Sequence, residues 1–418
     1  MLTSKTPYEP RSKTKRQMNK NNVIKSMLQG DQEPFIAFYN KHHIIPVTQD
    51  TEQPDFIFRR NSLYKLLGIP LHTLKDRTVL EFGPGGGYNA LAITHQAPKR
   101  YVFVDASLAS LDELKRKVET KSFGNVETEI VDCNIMHFED DRKFDLVIVE
   151  GVIPGQKNPR SMLKHVSKFV SEEGFLVITT TSAASMLSEV CRRVFFPYIT
   201  STHKSFEDQV LAAIQIFQPH LTTLKTTTRP IRDWVLDSIF NPWESSNRMC
   251  FTILDSVEAL GSEYDFYGSS PRFLIDDRFY KAICPKATTS SKLVEQQFPS
   301  IAFALIDYRI EITKALKHCA SRELEPACKE AYDLHSKMLT DNSYNRLDDF
   351  LACLQKIPPM IPAPFEATRI AIHEFIELFP KFLYDVRAEV KFRDFPCWWG
   401  RGQQYVSLIR AGAKRLHR

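Results

Sequence analysis

The sequence predicts an α/β fold: a doubly wound, mostly parallel sheet with a helical insertion and a helical C-terminal region. Three observations lead there. The run Thr78-Val79-Leu80-Glu81-Phe82 is apolar and strand-like around one acid, and it breaks into Gly83, Gly85, Gly86 and Gly87 before the helix formers Tyr88-Asn89-Ala90. Glycine removes the Cβ that would block a ligand, so this turn fits a nucleotide-like molecule. Further apolar runs alternate with amphipathic segments as far as Thr180, the pattern of parallel strands with helices on both faces. Finally, Tyr101-Val102-Phe103-Val104 delivers Asp105 at the distance expected of a carboxylate that holds ribose hydroxyls.

Taken in chain order, residues 1 to 30 read as a disordered basic arm, with Lys5, Arg11, Lys13, Lys15, Arg16, Lys20 and Lys25 against Glu9. Residues 31 to 77 form an N-terminal cap. It holds the aromatic stretch 35–47 and a helix around 60–67, stopped by Gly68 and Pro70. A core domain spans 78 to 285, with helices expected over 88–95, 107–121 and 159–171. Ligands of such sheets bind outside the carboxyl ends of the strands. That rule puts Glu81, Gly83, Asp105, Asp132 and Glu150 on one rim.

Residues from 181 to about 246 are helical and aromatic, with Trp234 and Trp243, and form an insertion over that rim. A helix over 248–260 and a closing hairpin of 264–271 with 277–283 end the core. After a polar linker at 286–291, residues 298 to 418 read as helical to the end, over 301–319, 323–339, 346–355 and 365–378. Apolar residues recur there at three and four.

The turn departs from the dinucleotide fingerprint in two ways. Asn89 stands near the place of the third glycine, and Glu81 would repel a pyrophosphate. S-adenosylmethionine has no phosphate; it brings a sulfonium and an ammonium, which an acid suits. Residues 78–90 resemble motif I of the class I S-adenosylmethionine-dependent methyltransferases, and the later landmarks follow in that family's order. Asp105 sits where its second-strand acid binds the ribose diol. Glu129-Ile130-Val131-Asp132-Cys133-Asn134 resembles the end of the third strand, where an acid meets the adenine amino group. Residues 143–151 resemble the fourth strand, and 174–179 the fifth.

The resemblance implies a Rossmann-like seven-stranded methyltransferase sheet. It also implies a cofactor set of Glu81, Gly83, Gly85, Gly87, Asn89, Asp105, Asp132, Cys133 and Glu150. A broader likeness, to bacterial methyltransferases associated with surface glycans, is carried by residues 31–90.

Methyl transfer from a sulfonium is an in-line displacement, for which the protein supplies alignment, desolvation and sometimes a base. The loop after the fourth strand, Glu150-Gly151-Val152-Ile153-Pro154-Gly155-Gln156, lacks the Asn/Asp-Pro-Pro-Tyr pattern of enzymes that methylate nucleobase or glutamine amines. O-methylation of a small molecule or glycan is favoured, with N-methylation of a simple amine left open. Glu150 and His43 are the candidate catalytic groups; Tyr39 and Trp243 are candidate substrate contacts. The aromatic and polar stretch 395–405 suits a carbohydrate or nucleotide ring, or plain packing against the helices.

A charged fraction of 25% beside 43% hydrophobic residues is that of an ordinary globular protein. No apolar run reaches the length of a membrane span. The eight cysteines form no C-x-x-C pair, so neither a disulfide framework nor a zinc site is expected, and a cytoplasmic protein is. The net charge of +5 concentrates at the two ends, where Arg410, Lys414, Arg415 and Arg418 form a second basic cluster. A nucleic-acid partner is open but not favoured, as is a non-catalytic S-adenosylmethionine-binding protein. Nothing in the sequence selects a metal or an oligomeric state.

Overall fold

The computed structural model describes residues 34–45, 48–51, 55–224, 229–241, 250–274, 279–282, 290–316, 322–384 and 390–411. The basic arm, Trp243, most of the linker and Lys414, Arg415 and Arg418 lie outside the described residues.

Strands β1 (Thr78–Phe82), β2 (Arg100–Asp105), β3 (Glu127–Asp132), β4 (Phe144–Val149), β5 (Val170–Thr180), β6 (Tyr264–Ser270) and β7 (Gln404–Arg410) form one sheet in the order β3-β2-β1-β4-β5-β7-β6. The first five are parallel, and β7 runs antiparallel between β5 and β6. Central strands β1, β2 and β4 are buried almost throughout, which is why they read as continuous apolar runs. The edge strand β3 carries Glu127, Thr128, Glu129 and Asp132 around Ile130-Val131 and is only half-buried, as suits an exposed edge.

Helices cover both faces, and their starts are written in the sequence. Asn158 accepts from the Ser161 amide ahead of Pro159. Ser182 and Ser185 exchange bonds in a capping box that opens helix Ala183–Arg193. Helices Ala90–Thr94, Leu108–Glu119 and Pro159–Ser167 fall inside the expected segments but are shorter.

Two expectations fail on long-range pairing. Among the described residues β6 does not pair with those near 280, where Tyr280–Ala282 makes a 3-10 turn; residues 277, 278 and 283 of the expected hairpin lie outside the described residues. The partner of β6 is β7, from a segment that reads as helical. Val406 and Leu408 are buried, and the Ser407 hydroxyl donates to the Leu67 carbonyl at 2.6 Å, so this strand is fixed by contacts far away in sequence. The helix expected over 301–319 is broken into Ala302–Ile306 and Ile312–Leu316. Asp307 between them takes an extended conformation, and its carboxylate accepts from the Arg309 amide at 3.0 Å and the Thr368 hydroxyl at 2.8 Å. Such side-chain bonds compete with the helical ladder.

The C-terminal helices share a hydrophobic core with the sheet. Glu325 reaches across to accept from the Ala183 and Ala184 amides (2.5 and 2.9 Å) at the start of helix Ala183–Arg193, where unpaired amides and the helix dipole favour a carboxylate. Fully buried Arg192 leaves that same helix to meet the C-terminal segment. It donates to the Ser188 and Trp398 carbonyls and stacks 3.6 Å from the Trp399 ring centre.

Candidate functional site

A cavity of about 250 Å³ lies over the carboxyl ends of β1, β2 and β4, beside the point where the strand order reverses, as open α/β sheets favour. Its floor holds the Gly-rich turn. Gly83 and Gly85 have φ of +65° and +56°, and a Cβ on Gly83 would sit 2.5 Å from the Val152 side chain. Only glycine fits there.

Two buried carboxylates face this cavity. Asp105, at the end of β2, accepts from the Ser107 amide at 2.8 Å and the Gly85 amide at 3.3 Å. Burial nevertheless pushes its carboxyl up to about 6. Glu81 accepts from the Tyr101 hydroxyl at 2.6 Å. Burial, then the neighbouring Glu150 charge, push it up to about 7. Burial outweighs the hydrogen bonds each carboxylate accepts, and among the described residues neither is ion-paired. A sulfonium, an ammonium and a ribose diol would supply positive charge and further donors, so this pair of acceptors fits S-adenosylmethionine.

Glu150 closes the floor at the end of β4 and is tightly held. Arg60, from helix Asp55–Leu66, bonds it in a bidentate pair at 2.7 and 3.1 Å. The Asn89 amide donates to it at 3.1 Å. Burial is the largest single influence on Arg60 and opposes its charge, but the Glu150 charge and hydrogen bond, with Tyr64 and Tyr405, together hold the guanidinium above its ordinary range. Both side chains are under a tenth exposed, so the pair is a fixed charge-assisted clamp. Asn89 is oriented in turn by Gln49, whose amide donates to it at 2.9 Å.

The roof comes from outside the sheet. Phe35, Ile36 and Tyr39 of helix Pro34–His42 face Arg229 and Asp237 of the insertion. The Tyr39 hydroxyl donates to Asp237 at 2.8 Å, and Arg229 donates to the other Asp237 oxygen at 2.8 Å. The loop after β4 is pinned where the Gly151 amide donates to the Thr179 hydroxyl at 2.7 Å.

The structure thus brings Glu81, Gly83, Gly85, Asn89, Asp105, Glu150 and Tyr39 to one cavity. Four other sequence candidates do not line it. Gly87 has φ of +72° and turns toward Leu114 and Phe123, where a Cβ would meet them at 2.7 and 3.0 Å. It therefore serves helix–sheet packing. Asp132 is exposed and Cys133 half-buried; their places at the cavity are taken by Asn134 and Ile135, just beyond. His43 is exposed on a left-handed residue (φ +51°) that ends the cap helix. Arg60, Arg229 and Asp237 escape the sequence reading, whereas Gln403 falls in the aromatic and polar stretch 395–405. Asn134 also lines the cavity and carries a local signal, as the polar residue closing the third-strand motif.

Residues 74–222 match the family model described as a methyltransferase domain. The match and the fold make this part of the chain a class I S-adenosylmethionine-dependent methyltransferase domain. The chain is 27% identical over 182 residues to the tRNA U34 carboxymethyltransferase of Sulfurimonas denitrificans, covering 40% of this chain and 60% of that protein. It thus spans less than two thirds of that relative. Among solved structures it is similar to the N-methyltransferase NodS from Bradyrhizobium japonicum WM9 in complex with S-adenosyl-L-homocysteine (16% identity, 37% of this chain, 76% of that one, TM-score 0.30). It is also similar to PKMT2 from Rickettsia typhi (15% identity, 65% and 51%, TM-score 0.37). No helix among the described residues is long and apolar enough to cross a membrane.

Proposed function

We propose that the chain is a cytoplasmic enzyme that transfers a methyl group from S-adenosylmethionine to a small-molecule or sugar acceptor, by O-methylation. The observation that carries this reading is the convergence of Glu81, Gly83, Gly85 and Asp105 on a single cavity at the carboxyl rim. When bound, the cofactor supplies the activated methyl group. Asp105 would accept from the ribose hydroxyls, and Glu81 would face the cationic end. Asn134 and Ile135 would flank the adenine.

Glu150, held between Arg60 and Asn89, would act as a fixed orienting group rather than a mobile base. On the opposite wall, the Tyr39–Asp237–Arg229 set would orient the acceptor. This geometry also serves N-methylation of a simple amine, since alignment contributes most of the rate in either case.

Calorimetry with S-adenosylhomocysteine tests the cofactor half. Micromolar binding is expected, and tight binding of a nicotinamide dinucleotide in its place overturns the reading. A labelled-methyl screen over extract metabolites and glycans tests turnover; cofactor binding with no labelled product in any fraction points to a non-catalytic binder. A second reading, an RNA acceptor, is favoured by the printed activity of the Sulfurimonas relative. It predicts salt-sensitive RNA binding that disappears when residues 1 to 30 are deleted.

A further inference from the structure

A second groove, of about 470 Å³, lies on the same rim over the β5-β7-β6 half of the sheet. Gln403 lines both cavities. Its amide lies 3.6 Å from where a Cβ on Gly151 would stand, so the groove opens beside the loop after β4. Trp234, Tyr308, Trp399 and Tyr405 give it aromatic walls, and Glu189, Ser270 and Arg401 supply polar groups.

The groove is held rigidly. Arg192 packs against Trp399, whose indole N–H donates to the Thr223 hydroxyl at 3.0 Å. The Gly400 amide donates to the Ser188 hydroxyl at 2.8 Å, and a Cβ on Gly400 would stand 2.0 Å from the Ser185 carbonyl oxygen. The aromatic strap therefore lies directly on helix Ala183–Arg193, and only glycine allows it.

The charges in this wall select among ligands. The Arg401 guanidinium is engaged by the Ala304, Tyr308 and Ile310 carbonyls. Glu189 accepts from the Ser188 hydroxyl at 2.6 Å, and no described Lys or Arg lies in an ion pair with it. Burial raises the Glu189 carboxyl above its ordinary range, and Arg192 only partly offsets this. With one carboxylate and one guanidinium, the latter already bonded to backbone carbonyls, the wall carries no excess charge of either sign to recruit a phosphodiester or a cation. It suits a neutral polyol: flat aromatic faces for the C–H face of a ring, with carboxylate, amide and hydroxyls for its hydroxyl groups. The volume falls within the range of ligand sites.

We propose that this groove binds the sugar ring of a carbohydrate acceptor next to the unit being methylated, which projects past Gln403 toward the first cavity. The proposal rests on the methyltransferase reading above and narrows its acceptor to an oligosaccharide.

The test uses the full chain with S-adenosylhomocysteine present. Tryptophan fluorescence and calorimetry follow maltotriose, triacetylchitotriose, a rhamnose trisaccharide and a short single-stranded RNA. At least one sugar is expected to saturate at millimolar concentration or below. Tyr308→Ala, at a 42% exposed side chain, and Glu189→Gln should each weaken it about tenfold or more, with S-adenosylhomocysteine affinity unchanged. Saturation by none of the sugars, binding that both variants leave intact, or saturation by RNA alone each overturns the proposal. Failure of S-adenosylhomocysteine itself to bind strikes the methyltransferase reading instead.

Discussion

The two halves of the rim are built differently. In the β3-β2-β1-β4 half, each acid stands at the end of its own strand: Glu81 one residue before the end of β1, Asp105 as the last residue of β2, Glu150 just after β4. Pairing of parallel neighbours in register carries these residues to one edge. In the β5-β7-β6 half, the residues come from positions as distant as Leu63, Trp234 and Tyr405. Strand β7 arrives from the far end of the chain to fill a gap between β5 and β6. Local pattern therefore specifies the first half, whereas packing between remote segments specifies the second.

Arg60 breaks the simplicity of that contrast, because a residue outside the motif region holds the key carboxylate of the local half. Arg60→Met would leave Glu150 buried without its counter-ion. The expected loss of stability is about 3–5 kcal/mol, measured as a fall in the urea midpoint at unchanged slope. The double variant Arg60→Met/Glu150→Gln should recover much of that loss. A single variant as stable as the parent would mean that Glu150 is not fixed by this pair.

The acidic floor of the local half should also show in pH dependence. Glu81 has a folded-state pKa of about 7 against an ordinary 4.5. The folded state therefore keeps a proton that the unfolded state has released between those values. Stability from this group is full below about 4.5 and is lost as pH rises through about 7, on the order of 3 kcal/mol in all. Asp105, pushed up to about 6, acts in the same direction at lower pH. Glu81→Gln should flatten the upper part of the stability profile and leave the Asp105 part. In the parent, affinity for the cationic cofactor should rise with pH through about 7, because a cation favours the ionised carboxylate. A profile unchanged by Glu81→Gln would remove Glu81 from the account.

Asp105→Ala sharpens the comparison by striking one half alone. Losing a buried acceptor for the ribose hydroxyls should weaken S-adenosylhomocysteine about 100-fold, near 2.7 kcal/mol. Ligand binding in the Trp234–Tyr308 groove should not change. Calorimetry on the two sites separately reads this, and equal losses at both would show that the halves are not independent.

The legibility of the sequence follows the same division. The parallel strands, the turn at Gly83 and the acids Glu81, Asp105 and Glu150 were readable because each is an apolar run ending in a recognisable residue. The third-strand end is less legible. Asp132 looked like the functional acid, yet the strand ends there with Asp132 exposed, and the chain turns inward only at Asn134. Strand β7 was missed because Gln404-Tyr405-Val406-Ser407-Leu408-Ile409-Arg410 is a short alternating run after a helical stretch, and its partners lie far away in sequence. Arg229 and Asp237 carried no signal, since their positions depend on how the insertion folds over Tyr39.

That last contact gives the smallest predicted effect. Tyr39 and His43 lie four residues apart at the end of one short cap segment, and the sequence assigned both to the site. The structure separates them: the Tyr39 side chain is buried against the cavity, its hydroxyl 2.8 Å from Asp237, whereas His43 is exposed outside it. Tyr39→Phe removes one donor from Asp237 and keeps the ring, the Arg229 pair and the fold. If Asp237 orients the acceptor, turnover should fall about tenfold, near 1.4 kcal/mol, with S-adenosylhomocysteine affinity within about threefold of the parent. His43→Ala should change both quantities by less than about twofold, the noise level for an exposed substitution. Labelled-methyl turnover on the acceptor found by the screen measures the pair. A strong loss in His43→Ala with none in Tyr39→Phe would place the acceptor on the outer side of the cap helix. The wall formed by Arg229 and Asp237 would then be packing rather than a site.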